Sequence, residues 1–109
     1  MSTTVPVDLA QLEEREVMPG FRGRFVHTDR TTLAFWEIDE GAELPEHRHP
    51  HEQTAHVLEG SFELVVSGEP HRLGAGSVLP IPSQAPHSGR AITACRILDV
   101  FSPPRDDYR

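Results

Sequence analysis

The chain has 109 residues, a formal charge of −7 and ten basic residues, all of them arginine and scattered. That length supports one domain and excludes two of ordinary size, and dispersed cations on an acidic chain argue against a nucleic-acid partner, since phosphate backbones reward clustered positive charge. The single cysteine, Cys95, has no partner for a disulfide, which suits a reducing compartment.

In chain order, the opening MSTTVPVDLAQLEEREV has neither the basic start nor the continuous apolar stretch of a secretory signal. No run of about 18 apolar residues that could span a bilayer follows it. A cytoplasmic protein without membrane association is therefore expected. Within the opening, DLAQLEEREV is the one segment with room for a helix, of one or two turns, in an N-terminal arm over residues 1–23.

From Arg24 onward, short runs rich in β-branched and aromatic residues recur between turn signals: RFVHT, TTLAFWEID, TAHVLEG, SFELVVSGE, HRLGAG, SVLPIPS and AITACRILDVF. Such spacing predicts an all-β barrel or sandwich over residues 24–101. Reversals at Glu59-Gly60 and Ser67-Gly68 would join TAHVLEG, SFELVVSGE and HRLG into an antiparallel meander, with Phe62, Leu64 and Val66 on one face. Prolines cluster at 45–50, 80–86 and 103–104, stretches that should be edges or loops because proline cannot donate into a sheet ladder. Residues 102–109 form a tail outside the main sheets.

The chemistry concentrates in the histidines. His47 and His49 are two apart, and in an extended chain residues i and i+2 project from one face, close enough to share an ion. Imidazole is the commonest ligand for divalent transition metals, with further ligands to come from elsewhere in the fold; the alternative for HRHPH is a solvated polar loop. In the last strand, Cys95, Ile97, Asp99 and Phe101 share a face, which sets Asp99 among apolar neighbours. That carboxylate either closes a hydrogen bond or serves as an acid/base group inside the barrel. Arg105 could reach back to Asp99 or to a substrate carboxylate, or simply be a solvated tail arginine. Trp36, Phe35 and Phe25 read as packing, His27, His56 and His71 as polar strand residues, and Cys95 as a small buried side chain.

The segment GAELPEHRHPHEQTAHVLEG resembles the first signature of the cupin superfamily, through Gly41, His47, His49, Gln53 and Gly60, and GSVLPIPSQAPH resembles the second, through Gly76, Pro82 and His87. This resemblance implies a cupin fold, a double-stranded β-helix or jelly-roll barrel, holding one divalent metal ion (zinc, nickel, iron or manganese) through His47, His49, Gln53 and His87. Three departures stand out: Gln53 replaces the usual Glu, Gln84 a glycine, and Ala91 an Asn. A neutral amide in place of a carboxylate leaves the full double charge on the ion, which suits Lewis-acid work better than high oxidation states. His51 shares the parity of His47 and His49 and is the open question in the ligand set.

Over most of its length the chain looks like short bacterial cupins that carry HxHPHEQ and end in a DVF-x-P-x-R element, here Asp99 to Arg105. One branch ketonises 4,5-unsaturated uronates in pectin and alginate degradation, with residues matching Asp99, Phe101 and Arg105; another closes rings in aromatic polyketides. The resemblance thus implies a small-molecule substrate, carbonyl–enol chemistry with Asp99 moving a proton, and a homodimer. A metal-dependent dioxygenase and a non-catalytic binding module are the other readings, and the missing carboxylate ligand weighs against the first of these.

Overall fold

The computed structural model describes residues 4–109. It contains ten strands: β1 (Arg15–Met18), β2 (Phe21–His27), β3 (Thr32–Ile38), β4 (Glu43–His47), β5 (Glu52–Glu59), β6 (Phe62–Val66), β7 (Glu69–Leu73), β8 (Val78–Ile81), β9 (His87–Ala91) and β10 (Cys95–Ser102). They form two antiparallel sheets, six-stranded in the order β1-β2-β3-β10-β5-β8 and four-stranded in the order β4-β9-β6-β7. The only helical pieces among the described residues are 3-10 turns at Leu9–Gln11 and Asp106–Tyr108.

Side-chain alternation sets the faces. On β3, Thr32, Ala34, Trp36 and Ile38 are buried while the residues between them are not, and on β5 the same holds for Gln53, Ala55 and Val57. This period of two turns one face of each sheet inward, and Phe62, Leu64, Ile81, Ile97 and Phe101 fill the space between them. Pro45, Pro70 and Pro80 lie in β4, β7 and β8, each an outermost strand of its sheet, where a missing N–H breaks no ladder.

Three local expectations differ from the structure. In DLAQLEEREV only Leu9–Gln11 is helical, and Arg15–Met18 pairs with β2, so the six-stranded sheet begins within the stretch read as an arm. Strand β9 occupies His87–Ala91, ahead of the run read as one strand from Ala91. The meander is only half formed. Ser67 and Gly68 have φ of +49° and +81°, the type I′ geometry that joins β6 to β7. By contrast, β5 is already paired on both sides, by β10 and β8, which leaves no edge for β6, and the chain passes at Gly60 into the other sheet.

A candidate metal centre

Strands β4 and β9, with the loop that follows β4 and the loop that precedes β9, bring the histidines together. On β4 and β9, Leu44 opposes Gly89 and His47 opposes His87, three residues against two. This bulge lets both Leu44 and His47 face the interior, so the first and last histidines of the motif meet across one strand pair with ring centroids 4.2 Å apart. His49 follows just beyond the end of β4, its ring 5.0 Å from His87. The backbone N–H of Gln84, in the β8–β9 loop, donates to the His49 carbonyl at 2.8 Å and ties the two loops together. Gln84 holds φ +65° there, where the related pattern has a glycine.

Each imidazole is fixed by a carbonyl two residues away: Nδ1 of His47 donates to Pro45 O at 2.9 Å, that of His49 to His51 O at 3.1 Å, and that of His87 to Ala85 O at 2.9 Å. A carbonyl can only accept, so Nδ1 carries the proton and Nε2 presents a lone pair. One ligand atom from each of the three rings lies within 4.8 Å of the others. The Nε2 atoms of His49 and His87 and Oε1 of Gln53 are buried without a hydrogen-bond partner among the described residues, a costly state unless something else is bound there. These donors fit a divalent ion, with second-sphere carbonyls orienting the rings as metal-binding histidines require. Burial lowers His49 to a pKa of about 4, helped by the charges of Arg105 and His87, and burial lowers His87 too. Both are therefore neutral and ready to ligate near neutral pH. His51 packs its ring against His49 and Phe101 and lies outside the three-histidine cluster.

Asp99 lines the same cavity. Its neighbours across the ladder are Ala34 and Ala55, both essentially unexposed and small enough to leave the carboxylate room. Trp36 and Gln53, the partners of Ile97 and Phe101, reach it diagonally. The Trp36 indole N–H donates to Oδ2 at 3.0 Å, while Oδ1 is buried without a hydrogen-bond partner among the described residues. Burial pushes Asp99 up to a pKa of about 6, against the opposing pull of Gln53, Trp36 and Arg105. Trp36, read from sequence as packing, thus touches the candidate acid/base group. Gly23 makes this placement achievable: a Cβ there would lie 2.9 Å from the indole.

The tail does not stay clear of the site. Arg105 is 9% exposed, its N–H donates to Thr32 Oγ1 at 2.8 Å, and its guanidinium carbon lies 4.7 Å from the Phe101 ring centroid and 4.3 Å from that of Tyr108. The sequence left Arg105 open between reaching Asp99 or a substrate and being a solvated tail arginine; it is buried, and its guanidinium hydrogen bonds go to Asp107. Arg105 and Tyr108 join His47, Gln53, His87 and Asp99 around a cavity of about 50 Å³, whose remaining walls include Ile38, Leu44, Phe62, Leu64 and Ile97. The cavity adjoins an outer groove of about 430 Å³ between β1, β4 and the tail, lined in part by Met18, Leu44, His47 and Tyr108. A polar end beside the histidines and apolar walls elsewhere would suit a small organic ligand with a reactive oxygen. No helix among the described residues is long and apolar enough to cross a membrane.

Comparison with known proteins agrees with this geometry. Residues 34–101 match the family model Cupin_2, cupin domain. The pectin degradation protein KdgF of Dickeya dadantii (strain 3937) is 35% identical over 71 residues, which take in 63% of this chain and 64% of that protein, a little under two thirds of its length. Among solved structures, KdgF from Halomonas sp. superposes with a TM-score of 0.92 at 29% identity, over 98% of this chain and 100% of the other. An RmlC-like cupin from Shewanella frigidimarina NCIMB 400 superposes with a TM-score of 0.91 at 27% identity, over 98% and 97%.

Proposed function

The chain belongs to the cupin domain family, and from that premise we propose that it is a metal-dependent enzyme of non-redox carbonyl–enol chemistry, ketonising 4,5-unsaturated uronates. The observation that carries this reading is a cluster of three imidazoles with free Nε2 atoms, two of which, His47 and His87, line one cavity together with a carboxylate of raised pKa. The likeness to the two KdgF proteins supports the choice of substrate.

His47, His49, His87 and Gln53 would hold the ion, which when bound supplies Lewis-acid polarisation of a substrate oxygen. The reaction itself is an isomerisation: the C1–O5 bond of the sugar ring breaks, O5 becomes the C5 ketone, the C1 hydroxyl loses its proton to leave an aldehyde, and C4 gains one. Asp99, with a pKa of about 6, is suited to both transfers near neutral pH. The Trp36 N–H holds Oδ2 and leaves Oδ1 to exchange the proton. Arg105 faces the cavity mouth, where a uronate carboxylate would lie.

The test is loss of the C4=C5 ultraviolet absorbance of an unsaturated galacturonate with the zinc-loaded protein under exclusion of oxygen. Acceleration over the spontaneous rate is expected; none, or a requirement for O₂ and a redox-active metal, would overturn the reading. Metal-assisted ring closure of a poly-β-ketone is the second reading, favoured by the apolar walls at Ile38, Leu44, Phe62, Leu64 and Ile97. It shares the enol chemistry and differs in substrate.

A further inference from the structure

Arg105 stands where the inner cavity meets the outer groove, and it is not a free cation. Its Nε donates to Asp107 Oδ1 at 2.9 Å and its Nη2 to Asp107 Oδ2 at 2.7 Å, a two-pronged pair of the kind an arginine makes with a ligand carboxylate. The flanking Phe101 and Tyr108 rings pack against the guanidinium, and the backbone bond to Thr32 fixes the chain beneath it. Asp107 is different: its side chain is 58% exposed, it sits in a single 3-10 turn near the chain end, and it lines the groove but not the inner cavity. Its side-chain hydrogen bonds among the described residues are both to the arginine it covers.

We propose that Asp107 is a specificity-determining residue that occupies the carboxylate-binding edge of Arg105 and so sets the charge preference of the cavity mouth. With Asp107 in place the pair is neutral, and an incoming carboxylate must displace it or settle for the remaining donors of Arg105 and repel it. A neutral oxygen acceptor meets no such opposition. This inference rests on the reading that ligands enter past Arg105, and it adds that the chain discriminates against anionic ligands relative to the same mouth without Asp107.

The experiment titrates zinc-loaded protein with D-galacturonate, its methyl ester and acetate, following the fluorescence of Trp36, the sole tryptophan, which lines the cavity. Asp107→Asn should tighten galacturonate and acetate by about fivefold, the size of one charge interaction at contact in a water-like medium, and leave the ester unchanged. Asp107→Glu should restore the original acid-to-ester ratio. Asp106→Asn, an equal change of charge at a carboxylate that pairs with Arg109 instead, should keep that ratio. Equal weakening of acid and ester by Asp107→Asn would make Asp107 a mere clamp and overturn the proposal, as would an unchanged ratio. If galacturonate binds neither protein while acetate tightens in the variant, the assignment of Asp107 stands and the uronate reading fails; unchanged acetate sinks the assignment.

Discussion

The indole N–H of Trp36 donates to Oδ2 of Asp99 at 3.0 Å across 63 residues of sequence, between β3 and β10. The bond takes one carboxylate oxygen out of play and favours the ionised form, while burial favours the protonated form and prevails. Trp36→Phe should therefore keep the fold and the metal content, raise the pKa on the acid limb of the rate profile, and lower turnover severalfold. Turnover as a function of pH in both proteins checks this, and a coincident acid limb would remove Trp36 from the site.

Asp99 also ties activity to stability. Its folded pKa, about 6, lies above the unfolded value near 4. Both states hold the proton below about pH 4; as pH rises toward 6 the unfolded chain releases it while the folded chain keeps it, so stability falls through that window and then levels off. Asp99→Asn should abolish turnover yet stabilise the metal-free protein above pH 6 by about 2–3 kcal/mol, with the gain vanishing near pH 4. Urea unfolding across that range measures it.

His49 has the opposite slope. Its folded pKa of about 4 is below the ordinary value near 6.5, so its contribution is full above that pH and lost as pH falls through 4. In the metal-free Asp99→Asn protein, where the carboxylate no longer opposes it, stability should decline steadily from pH 6.5 to 4. A flat profile would show that His49 is not buried as a neutral ring.

Gln53 offers the clearest change of metal chemistry. Gln53→Glu places a negative charge on the ion and should tighten binding of zinc by an order of magnitude or more, read by competition with a chelator. The same charge would sit beside Asp99 and raise its pKa further, so turnover should fall although metal occupancy rises. A simultaneous rise in both would contradict the role given to the neutral amide.

Gln84 carries strain that glycine would not. At φ +65° an L side chain costs about 1–2 kcal/mol, partly offset because glycine loses more freedom on folding. Gln84→Gly should stabilise the protein by about 0.5–1 kcal/mol and leave metal affinity intact, since the bond to His49 comes from the backbone. Thermal unfolding with and without zinc checks both halves.

What was legible in the sequence follows from range. His47 and His49 are separated by one residue, so their shared face could be read directly, whereas His87 was reached only through the resemblance of its segment to the second cupin signature. The face of Asp99 followed from simple alternation in β10. Trp36 looked like core because alternation assigns a face without saying which strand lies opposite; its bond to Asp99 depends on β3 and β10 being neighbours. Asp107 and Tyr108 were hidden for a similar reason, since the return of the tail over the cavity depends on Thr32 and Arg15, far away in the chain. Glu59-Gly60 carried a true turn signal, but a turn does not announce which sheet the chain enters next.

The placement of proline bears on how copies of this molecule can meet. Of the four rims of the two sheets, three carry a proline, at Pro45, Pro70 and Pro80, and the fourth, β1, is a short strand with a register shift between Glu16 and Met18. Every rim is thus a poor template for adding another strand. Growth by edge-to-edge strand pairing, the route to fibres, is disfavoured at each border.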